Sequence, residues 1–215
     1  GSIGGWGYES LAFLYGMSVL SHGLAVVFFI QTWGMGYWMI DGEFDRFLLR
    51  PMNLIFQFLF DDFNLIGFTD IIPGLMVFVY GCVKVHLTPS CGNILLILCT
   101  LAGGTLIRGA VWMFCGSMSF WTRSPANFTD MVGELFERVS IYPLTIYPRW
   151  VQALFTFLLP LAWITFWPVK DILEPEPGIL PVPMAAVTLA VGLLLFAGSC
   201  VVFRAGMGRY ESAGS

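Results

Sequence analysis

The feature that most constrains this chain is a set of apolar runs long enough to cross a bilayer. Residues 10–33 read SLAFLYGMSVLSHGLAVVFFIQTW, and residues 93–121, 150–168 and 183–203 are comparably oily. A hydrocarbon core about 30 Å thick is spanned by about 20 such residues in a helix. Lipid supplies no hydrogen-bond partners, so each run must satisfy its own backbone. A fifth segment, 66–85, is interrupted by Asp70 and Pro73 but best joins the first run to the next as a crossing. The reading is an all-α membrane protein: one domain over 1–215, a helical bundle of about five spans at 10–33, 66–85, 93–121, 150–168 and 183–203.

Composition agrees. Only 11% of the 215 residues are charged and 57% are hydrophobic, against about 25% charged in a soluble domain. The net charge of −4 and the lack of a basic patch give nucleic acid no footing. No CxxC pair occurs among the cysteines, so no zinc site is expected; Cys82 and Cys91 flank one short loop, within reach of a bridge. The two histidines, His22 and His86, are too few and too separated for a metal cluster, and His22 reads as a helix-packing residue. A P-loop needs GxxxxGK[ST]. The only lysines, Lys84 and Lys170, each follow a valine. The chain therefore does not bind ATP by that route and reads as no enzyme.

Lys and Arg in short loops mark the cytoplasmic side. With the start outside, Arg46, Arg50, Arg123, Arg138, Arg149, Arg204 and Arg209 fall inside, and only Lys84 and Lys170 fall outside. The C-terminus is then cytoplasmic, and EPEPG at 174–178 is an outer loop. Trp6, Tyr8, Trp33, Tyr37, Trp38, Trp121 and Trp150 sit at run ends, as an aromatic belt would. GSIGGWGYES is no signal peptide, so an outside start implies a span before residue 1.

Two inner stretches carry charge. GEFDRFLLRP at 42–51 places Glu43, Asp45, Arg46 and Arg50 within eight residues. It reads equally as a short helix on the lipid surface or as a docking helix for a cytoplasmic partner. In NFTDMVGELFERVS, Phe128, Met131, Val132, Leu135, Phe136 and Val139 follow helical spacing, with Asp130, Glu134, Glu137 and Arg138 opposite. This is an amphipathic helix in the second inner loop, followed by the proline-broken YPLTIYPRW.

Five pieces in order carry a resemblance: GGWGYESLAFLYG at 4–16, GEFDRFLLRP at 42–51, SMSFW at 117–121, YPLTIYPRWVQALFTFLLPLAWITFWP at 142–168, and GRYESAGS at 208–215. Together they resemble the permease subunits of bacterial type-2 ABC exporters, over nearly the whole chain. The resemblance implies six spans, the first lying before residue 1, and a multi-pass protein of the bacterial inner membrane. It implies pairing with a second permease, and an ABC ATP-binding subunit that holds ATP and magnesium, so no cofactor is expected in this chain. It also implies that residues 41–51 form the coupling helix. Glu43, Phe44, Asp45, Arg46, Phe47 and Arg50 would then make the ATPase contact, with Phe44 and Phe47 as apolar anchors.

The resemblance leaves two arrangements open. Either 150–168 crosses the membrane, or 124–141 is the fifth span and 150–168 only dips in. The second sends Asp130, Glu134, Glu137 and Arg138 into the bilayer, at about 2.5–3.5 kcal/mol for a central Asp or Arg, so the first is preferred. Arg108 and Asp70 are the charges deepest in the spans, read as a translocation-path or buried ion pair. They also support the second functional reading, an ion- or proton-coupled carrier.

Overall fold

The computed structural model describes residues 4–60, 64–122, 127–174 and 182–210. All the regular structure in them is helical. The helices are α1 (Tyr8–Trp33), α2 (Met35–Ile40), α3 (Asp45–Leu48), α4 (Leu54–Phe60), α5 (Phe68–Lys84), α6 (Cys91–Ser117), α7 (Ser119–Thr122), α8 (Asn127–Ser140), α9 (Arg149–Ala153), α10 (Phe166–Leu173) and α11 (Met184–Met207). Four of the described helical stretches are long and apolar enough to cross a membrane: those built on α1, α5, α6 and α11. Pro73 does not end α5, which runs unbroken for 17 residues. A proline this near a helix start removes only one backbone bond. The Ser90 hydroxyl caps α6 by accepting from Asn93 N at 3.2 Å.

The long helices meet through glycines, which let backbones approach where lipid supplies no hydrophobic drive. Gly67, Gly74 and Gly81 recur every seventh residue and face α1. A Cβ added at Gly81 would fall 2.6 Å from the Phe13 backbone, and one at Gly16 would fall 2.5 Å from that of Phe78. Paired this way, α1 and α5 run antiparallel. Between α6 and α11, a Cβ at Gly192 would lie 2.8 Å from the Gly103 carbonyl.

Two ends of the bundle are thereby defined. At the N-terminal end, the Thr145 hydroxyl donates to Gly4 O at 2.7 Å. At the C-terminal end, Tyr210 lies against the turn that follows α2. Helix α8 runs between them, antiparallel to α1. Its Asp130 carboxylate accepts from Trp33 Nε1 at 2.9 Å near the end of α1. Ten residues on, Ser140 reaches Ser18.

The helix expected over 127–140 forms, and it packs along the bundle. Phe136 and Val139 are buried in one cluster with Phe13, Leu14, Met17 and Ile107, and Gly133 packs directly beneath the Trp33 indole. Two polar contacts of α8 are seen: Asp130 takes the indole N–H, and the exposed Arg138 pairs with the exposed Glu134 one turn away at 3.5 Å. Of the expected apolar face, Met131 is exposed. The side chains of Phe128 and Glu137 lie outside the described ones.

The continuous helix expected over 150–168 is absent. After α9 the backbone widens into a π turn at Leu154–Leu158, extends at Leu159 (φ −112°, ψ 103°), and resumes as a 3-10 turn at Pro160–Trp163 before α10. Pro160 has no N–H to give the carbonyl four residues back. That carbonyl, Thr156 O, accepts from Trp163 Nε1 at 3.1 Å instead. The result is a hairpin. Its entry follows Thr145 at the N-terminal end, and its tip at Leu158–Pro160 lies beside Phe114 of α6 and Leu194 of α11, lining an apolar cleft of about 440 Å³. Its exit returns to the N-terminal end, where the Asp171 carboxylate accepts from Met184 N at 2.9 Å. Arg149 therefore sits at the N-terminal end, apart from Arg46, Arg50, Arg204 and Arg209. Cys82 and Cys91 are free thiols. Arg123, most of 174–178, and the residues after Tyr210 lie outside the described residues.

Candidate functional site

Two places hold the residues singled out from the sequence. The first is the middle of the bundle. Arg108, on α6, is the largest fully buried side chain described, at 1% exposure. Its Nε donates to Ser21 Oγ at 3.2 Å, and its Nη2 donates to Ser18 Oγ at 3.0 Å and Ser140 Oγ at 2.8 Å. Ser18 Oγ also donates to Ser140 Oγ at 3.1 Å, and Thr165, just before α10, donates to Ser140 O at 3.0 Å. One guanidinium thus ties α6 to α1 and α8, and the Thr165 hydroxyl ties α8 to the returning arm of the hairpin. The fork geometry of arginine suits it to several fixed acceptors at once.

The expected Arg108–Asp70 pair does not form. Asp70, in the first turn of α5, meets His22 Nδ1 at 3.1 Å across the α1–α5 seam. The ring of His22 stands edge-on to Trp112, 5.9 Å away. Burial is unequal too: the His22 and Asp70 side chains keep 22% and 37% of their exposure, whereas Arg108 is sealed. Ser18, Ser21, Ser140 and Thr165 were not singled out from the sequence. Ser18 and Ser21 lie three apart in an oily run, a spacing that puts both hydroxyls on one helix face.

The second place is the turn at the C-terminal end. Gly42 takes φ +73°, which reverses the chain after α2 and which an L side chain rarely adopts. The turn then drives Phe44 and Phe47 inward, and both are fully buried. Phe44 meets the rings of Phe47, Phe58, Phe120, Phe203 and Tyr210 at centroid distances of 5.0–6.4 Å. They cannot anchor a partner, because they anchor this chain. The two phenylalanines face the bundle, while Leu48 beside them is exposed.

What faces out is different. Glu43, Arg46, Leu48, Leu49, Arg50 and Met52 are exposed, Leu49 at 85%. The Arg46 guanidinium lies over the rings of Trp38 (5.2 Å) and Phe47 (4.9 Å), which are stacked 3° from parallel. Asp45 is half-buried and accepts from Tyr210 Oη at 2.9 Å. Burial, and then the Asp45 carboxylate that takes this hydrogen bond, pushes the Tyr210 phenol up to about 12. Tyr210 was legible only as part of a motif, with no role attached.

The family model for the ABC-2 family transporter protein matches residues 1–214. Comparison with curated proteins found no match, and neither did comparison with solved structures. With a match over nearly its full length, this chain belongs to the ABC-2 transporter family, as a membrane-spanning permease subunit.

Proposed function

We propose that this permease forms, with a second permease copy or homologue, the export path of an ATP-driven transporter of the bacterial inner membrane. A separate ATP-binding subunit docks on the turn at its C-terminal end. The observation that carries this is the outward face of that turn. Leu48, Leu49 and Met52 are exposed on the same short stretch as the exposed Glu43, Arg46 and Arg50. A lipid-facing turn has no need of such a charge pattern, and a solvated one has no need of the leucines. The contact residues proposed are thus Glu43, Arg46 and Arg50 with Leu48 and Leu49. Asp45, Phe44 and Phe47 hold the turn from behind. In this orientation the C-terminal end is cytoplasmic, α8 crosses the membrane between α6 and the hairpin, and the 149–173 hairpin enters the membrane from outside and returns there.

The test is affinity purification in mild detergent, with the bound ATPase identified and counted per permease. Two exposed leucines buried on docking contribute about 1.5 kcal/mol or more each at full burial. Leu48→Ser with Leu49→Ser is therefore expected to weaken ATPase retention at least tenfold, while the permease inserts at wild-type levels. Full retention by the double variant would sink this reading of the turn. The carrier reading loses its support, because Asp70 faces His22 and not Arg108.

A further inference from the structure

The hydrogen bond between Tyr210 and Asp45 joins two parts of the chain that are 165 residues apart. One is the turn 42–50; the other is the segment just after α11. The phenol of Tyr210 is placed for it on both sides. Its ring stands edge-on to Phe44 at 5.0 Å and to Phe120 at 6.2 Å, and its backbone N–H bonds to Met207 O at 3.2 Å, continuing the last turn of α11. Directly beneath, Gly206 packs on the Phe120 ring, and Phe203 is fully buried against Phe44. Phe203 and Tyr210 of the α11 end thus close on the turn, and Gly206 between them closes on the α7 ring beside it. The rings supply area, which resists separation but lets surfaces slide. The hydrogen bond is the directional element, and its acceptor lies on the same short helix, α3, as Arg46 of the proposed docking face.

We propose that Tyr210 is a positioning residue that latches α11 to the docking turn, so that a push on the turn moves α11 as one body with it. Because α11 packs along α6 through Gly192 and Gly103, the movement is delivered to the helices beside the hairpin tip. The transmission role rests on the reading of the turn as the ATPase contact; the latch itself does not.

The test has two arms. The first uses the full-length permease alone in detergent. Tyr210→Phe keeps the ring and deletes the hydroxyl, and Asp45→Ala deletes the acceptor. The two changes are expected to be non-additive in resistance to thermal unfolding, with the double variant no worse than the poorer single one. Asp45→Asn still offers an oxygen to the phenol and is expected to retain most of the effect. Strict additivity overturns the latch, whatever the ATPase does.

The second arm uses the permease–ATPase complex in lipid nanodiscs. Native cysteines are replaced, and a nitroxide is placed at Leu194, which is exposed on α11. Adding ATP is expected to change the label's spectrum in the wild type. In Tyr210→Phe the equilibrium behind that change is expected to weaken about five- to tenfold, as loss of one hydrogen bond allows, with ATPase retention unaltered and Asp45→Asn close to wild type. A full α11 response in Tyr210→Phe overturns the transmission role, and so does a response lost only because the ATPase is lost. Failure of the wild type to hold an ATPase would sink the docking reading, and transmission with it, a result separate from the first arm.

Discussion

The Arg108 cluster and the Phe44 cluster both join helices that are distant in sequence, and they do it by opposite chemistry. At Arg108, α1 and α8 meet on a guanidinium through hydroxyls at 2.8–3.2 Å. At Phe44, α3, α4, α7 and the end of α11 meet on one ring through aromatic contacts up to 6.4 Å. A buried charge tolerates little change in geometry, because every lost acceptor leaves a desolvated donor. Packed rings lose stability in proportion to the area and volume removed. The difference teaches that the middle of the bundle is held to a fixed geometry, while the C-terminal end is held firmly but with graded tolerance. That is a sensible division if the C-terminal end is where force enters.

The largest expected effect tests the second half of that contrast. Phe44→Ala empties the hub of the aromatic cluster, and is expected to cost about 3–5 kcal/mol, read as a lowered unfolding midpoint in detergent. A cost below about 1 kcal/mol would show that the cluster closes over the gap and is not a hub. Next comes Arg108→Lys. The charge is kept, but one ammonium cannot reproduce the Nε and Nη2 directions, so about 2–3 kcal/mol is expected to be lost. If the lysine variant unfolds like the wild type, charge and not geometry is what matters there. Phe44→Leu then sharpens the comparison. A hydrophobic swap that keeps most of the volume is expected to cost about 1.5 kcal/mol or less, so the conservative change should be milder at the ring than at the guanidinium. The reverse order would break the contrast.

The smallest effect concerns pH. The folded-state pKa of Tyr210, about 12, lies above its ordinary value of 10.0. Below that ordinary value both folded and unfolded chains keep the proton, and the contribution is whole. Between about pH 10 and 12 the unfolded chain releases it while the fold holds it, so stability falls as pH rises. Since Tyr210 is only half-buried, the effect is modest. It is measured as the extra loss of stability of the wild type over Tyr210→Phe across that window.

The sequence by itself determined the class, an all-α membrane bundle with long apolar helices, because hydropathy and helix length are local quantities. It also determined that residues 42–51 form a distinct charged turn and that 127–140 is amphipathic. It could not decide which way either amphipathic element faces. Periodicity marks an apolar side but not the surface that covers it, and here the cover for Phe44 and Phe47 comes from Phe120, Phe203 and Tyr210, far along the chain. The same limit hid the partners of Arg108. Insertion costs counted residue by residue weigh against α8 inside a bundle, yet the tertiary structure gives Asp130 an indole N–H and Ser140 a guanidinium. Only the fold decides whether a polar group in an apolar setting is a penalty or a joint, because only the fold decides what it touches.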